Sequence, residues 1–180
     1  MNKLTEKEIV FLIANEYPAR LSAQGVFNLD LEYPSENTSK IGRVTNFSIY
    51  NGKISGEINI SDKTAYDFDE ISDIEFLAHP ITSLAKTIRF NGEDVVPILE
   101  LARIAFPEYT FIIKKGGAHS YRGVSKTFFY WAENGFSAFN ETAQTIDVPN
   151  QLSLFQKMAE MHIDFMGLID RGVALPIENN

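Results

Sequence analysis

The residues best suited to chemistry lie in the glycine-rich segment 114–126 of an otherwise acidic chain. Its basic side chains are Lys114, Lys115, His119, Arg122 and Lys126. Backbone N–H groups near Gly116 and Gly117 can approach an anion closely, and cationic side chains can neutralise a phosphate. The segment lacks the G-x-x-x-x-G-K-[ST] spacing of a P-loop. It therefore predicts either an anion or nucleic-acid contact or a solvated loop between two strands.

Catalysis in this segment would need His119 as a general base with Ser120 or Tyr121 beside it. Adjacent residues usually point apart, and the sequence assigns no acidic partner that would orient the imidazole. We therefore predict no catalytic residue. His79, His119 and His162 do not have the spacing of a metal site, so we predict neither a metal nor a cofactor.

Aromatic side chains crowd the sequence that follows. They are Phe128, Phe129, Tyr130, Trp131 and Phe136. Nucleic-acid bases stack on such rings when basic residues lie nearby. Strand alternation places Phe128 and Tyr130 on one face and Phe129 and Trp131 on the other, and one pair belongs to the core. The remaining pair is either a second core layer or an interaction patch, which we assign to Phe129 and Trp131.

The overall charge limits the partners that the protein can bind. Sixteen basic and 24 acidic residues give a net charge of −8 over 180 residues. A uniformly acidic surface repels nucleic acid and anionic membranes, so either partner requires a local basic patch. The charge suits a basic protein partner or a mimic of nucleic acid, and plain solubility is the alternative.

The composition also bears on the compartment. The chain contains no cysteine, which excludes disulfides, thiolate zinc sites and cysteine nucleophiles. The N-terminus lacks the apolar core of a signal peptide, and no apolar run reaches the roughly 20 residues of a membrane span. We expect a cytoplasmic protein with a protein partner and no membrane contact, and a homo-oligomer is a further alternative.

The N-terminal third predicts a helix followed by strands. Thr5 and Glu8 form a capping-box pattern that opens a helix before Pro18. Apolar and polar residues alternate over 26–33, which predicts a half-buried strand, and 34–40 predicts a polar loop. The acidic stretch 62–73 lacks the ligand spacing of a calcium loop and predicts a solvated connection.

Three Asn-Gly pairs predict tight hairpins, because both turn positions favour a positive φ. They are Asn51-Gly52, Asn91-Gly92 and Asn134-Gly135. At the first pair the predicted register opposes Ile49 to Ile54 and Thr45 to Ile58. Further elements are a short strand at 74–77, a helical turn at 81–86 after Pro80, a helix at 97–106 and a β-rich run at 109–113.

The pattern of the last thirty residues predicts a long amphipathic helix. We expect it to end near Gly172, because glycine favours the left-handed conformation of a helix C-terminal cap. The apolar arc of this helix includes Leu152, Leu154 and His162. We predict that His162 is a hydrogen-bonded core residue and that His162→Ala lowers stability. The apolar tail 173–177 is expected to dock on the body or on a second subunit. The fold class is α+β in a single domain over 1–180, with an antiparallel sheet of hairpins packed by the two terminal helices.

Two stretches carry a family resemblance, LAHPITSLAKTIRFNGEDVVP at 77–97 and HIDFMGLIDRGVAL at 162–175. Together they cover about a fifth of the chain. The first resembles the Leu, Pro, Ser-Leu, Ile, Asn-Gly-Glu and apolar-Pro steps of a family of small proteins from phages, prophages and mobile elements of Bacteroidetes. The second resembles that family's closing His-x-Asp-x-x-Gly-Leu-Ile-acid-base-Gly pattern. This chain departs from the family at His79, where arginine is common, and at Met161, where tryptophan is common.

The resemblance implies a phage or mobile-element origin, and with it the host-cell cytoplasm, but it supplies no reaction and no site residues. We therefore expect a non-enzymatic accessory protein that binds another macromolecule, as a counter-defence or assembly factor. The alternative is a nucleotide- or nucleic-acid-binding protein, with or without hydrolysis, that uses the segment 114–126.

Overall fold

The computed structural model describes residues 3–22, 41–51, 53–61, 64–122, 125–133, 135–142 and 144–177. The chain divides into two compact units. Unit 1 comprises Met1–Ala78 and Met166–Ile177, and unit 2 comprises His79–Phe165 and Glu178–Asn180. The single domain over 1–180 stays a prediction.

The described elements are three α-helices and a set of mainly short strands. The helices are α1 (Glu6–Ala14), α2 (Pro97–Ala105) and α3 (Gln151–Glu160). The strands are β1 (Pro18–Leu21), β2 (Gly42–Tyr50), β3 (Lys53–Ser61), β4 (Thr64–Phe68), β5 (Ile74–Pro80), β6 (Ile88–Phe90), β7 (Glu93–Val95), β8 (Phe111–Lys114), β9 (Gly117–Arg122), β10 (Ser125–Ala132), β11 (Gly135–Asn140), β12 (Thr145–Ile146), β13 (Ile163–Asp164) and β14 (Leu175–Pro176). Most pairings are antiparallel, which confirms the predicted α+β class.

Unit 1 consists of α1 and a sheet in the order β5-β1-β2-β3-β4, with β14 beside β5 in parallel. The capping box that opens α1 is present as predicted. The Thr5 N–H donates to the Glu8 carboxylate at 2.8 Å, and the Glu8 N–H donates to the Thr5 hydroxyl at 3.3 Å. Apolar residues of α1 then enter the core of this unit, among them Ile9, Leu12 and Ile13. The predicted strand at 26–33 and loop at 34–40 lie outside the described residues.

The hairpin of β2 and β3 confirms one predicted pair and corrects the other. Ile49 lies opposite Ile54 as predicted. Thr45 lies opposite Glu57, so the predicted pair of Thr45 with Ile58 is wrong. The cause is a β-bulge between Thr45 and Ser48, so the register at Thr45 differs from the register next to the turn.

From Thr64 onward, the acidic stretch 62–73 forms a strand and a helical turn and is more than a solvated connection. Within it, β4 pairs with β3. Thr64, Tyr66 and Phe68 alternate with more exposed residues along β4, as expected for a strand with one buried face. At its end Asp73 is buried, and its carboxylate accepts hydrogen bonds from two backbone N–H groups of the preceding turn at 3.2 and 3.0 Å. The prediction for 62–73 is therefore wrong over these residues.

The C-terminal tail docks on unit 1, as predicted. Strand β14 pairs with Leu77 and Ala78 of β5, and the Ile177 N–H donates to the Ala78 carbonyl at 2.8 Å. Gly172 has a φ of +68°, so it does take the left-handed conformation. It lies in a turn before β14 and does not cap a helix.

Unit 2 consists of the turn Ile81–Ser83, the hairpin β6–β7, helices α2 and α3, and a five-stranded antiparallel sheet in the order β12-β11-β10-β9-β8. The predicted turn after Pro80, the hairpin at Asn91 and the helix from Pro97 are confirmed. One face of the sheet and the two helices enclose a core whose members include Ile98, Leu101, Phe106, Phe129, Phe136, Leu154 and Met158.

The long C-terminal helix is wrong beyond Glu160. Helix α3 ends there, and β13 follows in parallel pairing with His79 and Pro80. The predicted apolar arc is also centred on the wrong side of the helix, because Leu152 is 72% exposed while Leu154 is fully buried. The apolar residues after Glu160 are buried by strand pairing and turns and not by a helix. Because the prediction placed them on the same helical wheel, the apolar arc came out too wide.

His162 consequently lies off the helix. Its φ is +56°, its N–H donates to the Ala159 carbonyl at 2.9 Å, and its own carbonyl accepts the His79 N–H at 2.8 Å. The residue is half-buried. The prediction of a core histidine on a helix face is therefore wrong, and the effect of His162→Ala stays a prediction.

Candidate nucleic-acid interface

The described residues of the segment 114–126 lie in strands and one turn, whereas the sequence predicts a glycine-rich loop. Lys114 ends β8, the residues from Gly117 to Arg122 form β9, and Lys126 lies in β10. Lys115 and Gly116 connect β8 to β9 and have φ values of +50° and +77°, which defines a two-residue turn with both central residues left-handed. The loop prediction is wrong because the glycines form a turn, while the residues after them have the alternation of a strand.

The register of the sheet separates these residues into two faces. The face that packs on the core contains small or polar buried residues, namely Ala118, Ser120, Thr127 and Ala138, together with Phe129. On the opposite face, one continuous row crosses four strands through directly paired positions. This outer row is Ile112, His119, Phe128 and Phe139.

The rings of the outer face contact one another. The centroid of the Phe128 ring lies 4.3 Å from that of His119 and 5.0 Å from that of Phe139. Phe128 also stacks on Tyr130, with a centroid distance of 5.1 Å and an interplanar angle of 13°. All four side chains are half-buried. A Cβ on Gly117 would lie 2.7 Å from Cζ of Phe128, so glycine lets this ring lie against the strand. The result is a cluster of aromatic rings on the outer face, in which His119 is tilted against Phe128 and Phe139 lies edge-on to Phe128 and Tyr130.

Basic residues border the aromatic surface. A cavity of about 230 Å³ is lined by Lys114, His119 and Lys126 together with Phe128 and Phe139, and Glu141 also lines it. The structure thus brings three of the five predicted basic site residues to one place. Lys126 is partly neutralised, because its Nζ lies 3.0 Å from the carboxylate of Glu141.

The other two predicted basic residues are less tied to the cavity. Lys115 is exposed in the turn beside it. The side chain of Arg122 lies outside the part of the chain that the structure describes, although its backbone pairs with Ser125 at the end of β9.

His119 contributes an uncharged ring to this surface at neutral pH. Burial lowers the pKa of His119 below its ordinary value of 6.5, and the positive charges of Lys114 and Lys115 lower it further, against a hydrogen bond with the Lys114 backbone that raises it. Its Nε2 atom is buried and has no hydrogen-bond partner among the described residues. The positive charge of the interface therefore comes from the lysines, and His119 acts as a flat polar ring.

The predicted interaction patch of Phe129 and Trp131 falls on the core face. Phe129 is fully buried and stacks on Phe136 at 5.1 Å. Trp131 is half-buried and packs edge-on against Phe136 and Phe155 at 5.0 and 5.8 Å. Strand alternation separates the two pairs correctly, but the outward pair is Phe128 and Tyr130 and not the predicted Phe129 and Trp131.

The geometry does not assemble a catalytic pair from His119 and Ser120. Paired positions place His119 on the outer face and Ser120 on the core face, where Ser120 is fully buried. The Tyr121 side chain lies outside the described residues. Within the described ranges, His, Asp and Glu form no group of three that is suited to a metal ion.

Unit 1 contains a second cavity, of about 470 Å³, that the sequence did not indicate. Ile54, Ile74 and Ala174 are buried residues of its apolar floor, and Lys53 and Glu70 form an ion pair of 3.1 Å at its edge. Its volume is in the range of small-molecule pockets. Because these residues come from separate strands and from the C-terminal tail, no local sequence pattern marks them.

Comparisons of the chain with protein-family models, with curated proteins and with solved structures find no match. Among the described residues, each helix is too short or too polar to cross a membrane. Functional inference therefore depends on the chemistry of the outer face.

Proposed function

We propose that this chain is a non-enzymatic binding protein and that the outer face of the unit 2 sheet binds single-stranded nucleic acid. The observation that carries the proposal is the row of His119, Phe128 and Phe139 with Tyr130 stacked beside it, next to the lysine-lined cavity. Sheets that bind single strands combine aromatic rings for base stacking with cations that follow the phosphates.

The distribution of charge supports this interface in spite of the net charge of −8. Unit 1 contains eight basic and fourteen acidic residues, whereas unit 2 contains eight basic and ten acidic residues. The segment 114–126 contains four of the eight lysines and arginines of unit 2 and no acidic residue. The acidity therefore belongs mainly to unit 1, and the electrostatic attraction for phosphate is local to the β8–β10 region.

A single strand fits the surface better than a duplex does. In a duplex the faces of the bases are stacked on each other, so only an unpaired base can lie on an exposed ring. Base–aromatic stacking contributes ~1–3 kcal/mol per base. Two such contacts and a few phosphate contacts predict an affinity in the micromolar range, at about −8 kcal/mol.

Fluorescence anisotropy of labelled single-stranded DNA and RNA of about 12 nucleotides, at about 20 mM salt, tests the proposal. We expect wild type to bind and Phe128→Ala to weaken binding about tenfold, which corresponds to the lower part of the stacking range. Circular dichroism of each variant checks that the sheet is retained. If the wild-type protein does not bind at this salt concentration, the proposal is refuted.

The charge contribution needs a matched control in the same unit. Replacement of Lys114 and Lys115 by alanine should lower the slope of log K against log salt by up to ~1.4, at ~0.7 per lost phosphate contact. Lys86→Ala removes an exposed charge elsewhere in unit 2 and should leave binding nearly unchanged. A loss for Lys86→Ala that is half the loss of the double variant, and thus equal per removed charge, would mean that only the total charge matters and that the outer face is not the interface.

A protein partner is the second candidate function, and the exposed isoleucines of β8 favour it. Ile112 and Ile113 are 52% and 38% exposed. Together with the resemblance of 77–97 and 162–175 to phage and mobile-element proteins, they support an accessory role in counter-defence or assembly. The role requires a defined contact surface on the protein, and β8 is such a surface.

A further inference from the structure

We infer that the open edge of β8 accepts an extended acidic peptide, which adds to the unit 2 sheet as a further strand. The inference rests on the second candidate function and names its binding mode and the chemistry of its partner. Strand addition uses backbone hydrogen bonds for affinity and side-chain contacts for selectivity.

The hairpin geometry determines which backbone groups of β8 point outward. In a two-residue turn, the residues on either side form a hydrogen-bonded pair, which here is Lys114 with Gly117. Hydrogen-bonded and non-hydrogen-bonded pairs then alternate along an antiparallel ladder. Ile112 is therefore bonded to β9, while the N–H and C=O groups of Phe111 and Ile113 point away from β9.

This outward edge is open within the part of the chain that the structure describes. Strand β8 ends the order of the five-stranded sheet, and no described strand pairs with its outer side. Phe111 is buried and anchors the strand on the core, whereas Ile112 and Ile113 are the exposed large apolar residues of this sheet. The edge thus offers two N–H and two C=O groups on a fixed strand with apolar side chains beside them.

Charge selects the occupant. Lys114 and Lys115 are both exposed and follow the strand directly, and no acidic residue occurs between Tyr109 and Ala132. A second copy of β8, with the sequence Phe-Ile-Ile-Lys, supplies no carboxylate for these lysines. Successive strand residues point to opposite faces, so Lys114 lies on the face of Ile112 and opposite to that of Ile113. An extended peptide with alternating glutamate and apolar residues can therefore place its glutamates on the Lys114 face and its apolar side chains on the Ile113 face.

The test measures anisotropy of a labelled peptide of alternating Glu and Val, with a peptide of alternating Lys and Val as the control. We expect the wild-type chain to bind the acidic peptide and not the basic one. Ile113→Pro removes an outward N–H group that β9 does not use, and proline is tolerated on edge strands, so binding should fall about tenfold while Ile113→Val stays near wild type.

A second variant tests the inference without proline, in case Ile113→Pro disturbs folding. Replacement of Lys114 and Lys115 by glutamate leaves the β8 backbone intact and should reverse the preference toward the basic peptide. No binding of the acidic peptide, equal binding of both peptides, or an unchanged affinity in both variants would overturn the inference. Concentration-dependent dimerisation that Ile113→Pro abolishes would also overturn it, because the occupant would then be a second copy.

The two proposals fail separately. Phe128→Ala should weaken binding of single-stranded nucleic acid and leave the peptide affinity unchanged, since the Phe128 ring lies on the outer face away from the β8 edge. Ile113→Pro should have the opposite pattern. A variant that loses both activities would indicate a loss of fold, which circular dichroism detects.

Discussion

Glu8 joins the start of the chain to its C-terminal part within unit 1. Its carboxylate accepts two hydrogen bonds from Arg171, with N–O distances of 2.5 and 3.2 Å, and it also accepts the Thr5 N–H of the capping box. The hydrogen bonds from Arg171 first, and then those from Thr5, lower the pKa of Glu8 from 4.5 to about 2. Both partners are mostly shielded, with Arg171 31% and Glu8 20% exposed.

This pKa shift sets the size and sign of the expected effect. A fall from 4.5 to about 2 corresponds to ~3 kcal/mol at about 1.4 kcal/mol per pKa unit. Solvent screening of a partly exposed pair reduces this contribution to ~1–2 kcal/mol. Because the folded pKa lies below the unfolded one, the contribution is complete above pH 4.5 and is lost as the pH falls from 4.5 toward 2.

The variant Glu8→Gln isolates the charge, because glutamine also serves in a capping box. Urea unfolding at pH 7 should show a loss of ~1–2 kcal/mol in the free energy of unfolding, and the difference should shrink by about half at pH 3. Glu6→Gln is the matched control, since Glu6 is an exposed acid in the same first turn. Equal losses in the two variants, or a Glu8→Gln loss that is the same at both pH values, would refute the reasoning.

Three further predictions use the same unfolding assay. Leu154→Ala should cost ~2–4 kcal/mol, and Leu152→Ala less than ~0.5 kcal/mol, because the first side chain is buried and the second is exposed; similar losses would mean that α3 packs through another face. Gly117→Ala should cost ~1–3 kcal/mol through overlap with an aromatic ring, whereas Gly135→Ala, whose nearest neighbour would lie at 3.8 Å, should cost less. Burial lowers the pKa of His79 from 6.5, so stability should decrease as the pH falls below 6.5; His79→Gln should flatten this slope, and an unchanged slope would assign it to another group.

Local signals predicted the parts of the fold that depend on local backbone geometry. Asn91 and Gly92 both have positive φ and connect β6 to β7, as the turn preference of this pair requires. Thr5 and Glu8 satisfy each other's backbone groups in the same way as the sequence pattern indicates. In each case the residues that set the conformation are neighbours in the chain, so no tertiary information was needed.

Long-range pairing defeated the prediction for the C-terminal region. The residues after Glu160 are apolar at spacings that suit a helix, but Ile163 and Asp164 pair with β5, and Leu175 and Pro176 pair with it elsewhere. Gly167 and the residues around it turn the chain between these two strands. Helical periodicity reports that residues are buried, and it does not distinguish burial by a helix from burial by successive short strands.

The candidate interface shows why alternation alone cannot locate a binding surface. The period of two separates Phe128 and Tyr130 from Phe129 and Trp131, but it is symmetric between the two faces. Tertiary packing breaks the symmetry, because Phe155 of α3 meets Trp131 and leaves the other pair outward. A shift of one residue in the register would exchange the two pairs, so the aromatic surface depends on how β10 is held between β9 and β11. Variants that disturb this register should therefore lose nucleic-acid binding even where every outer-face residue is retained.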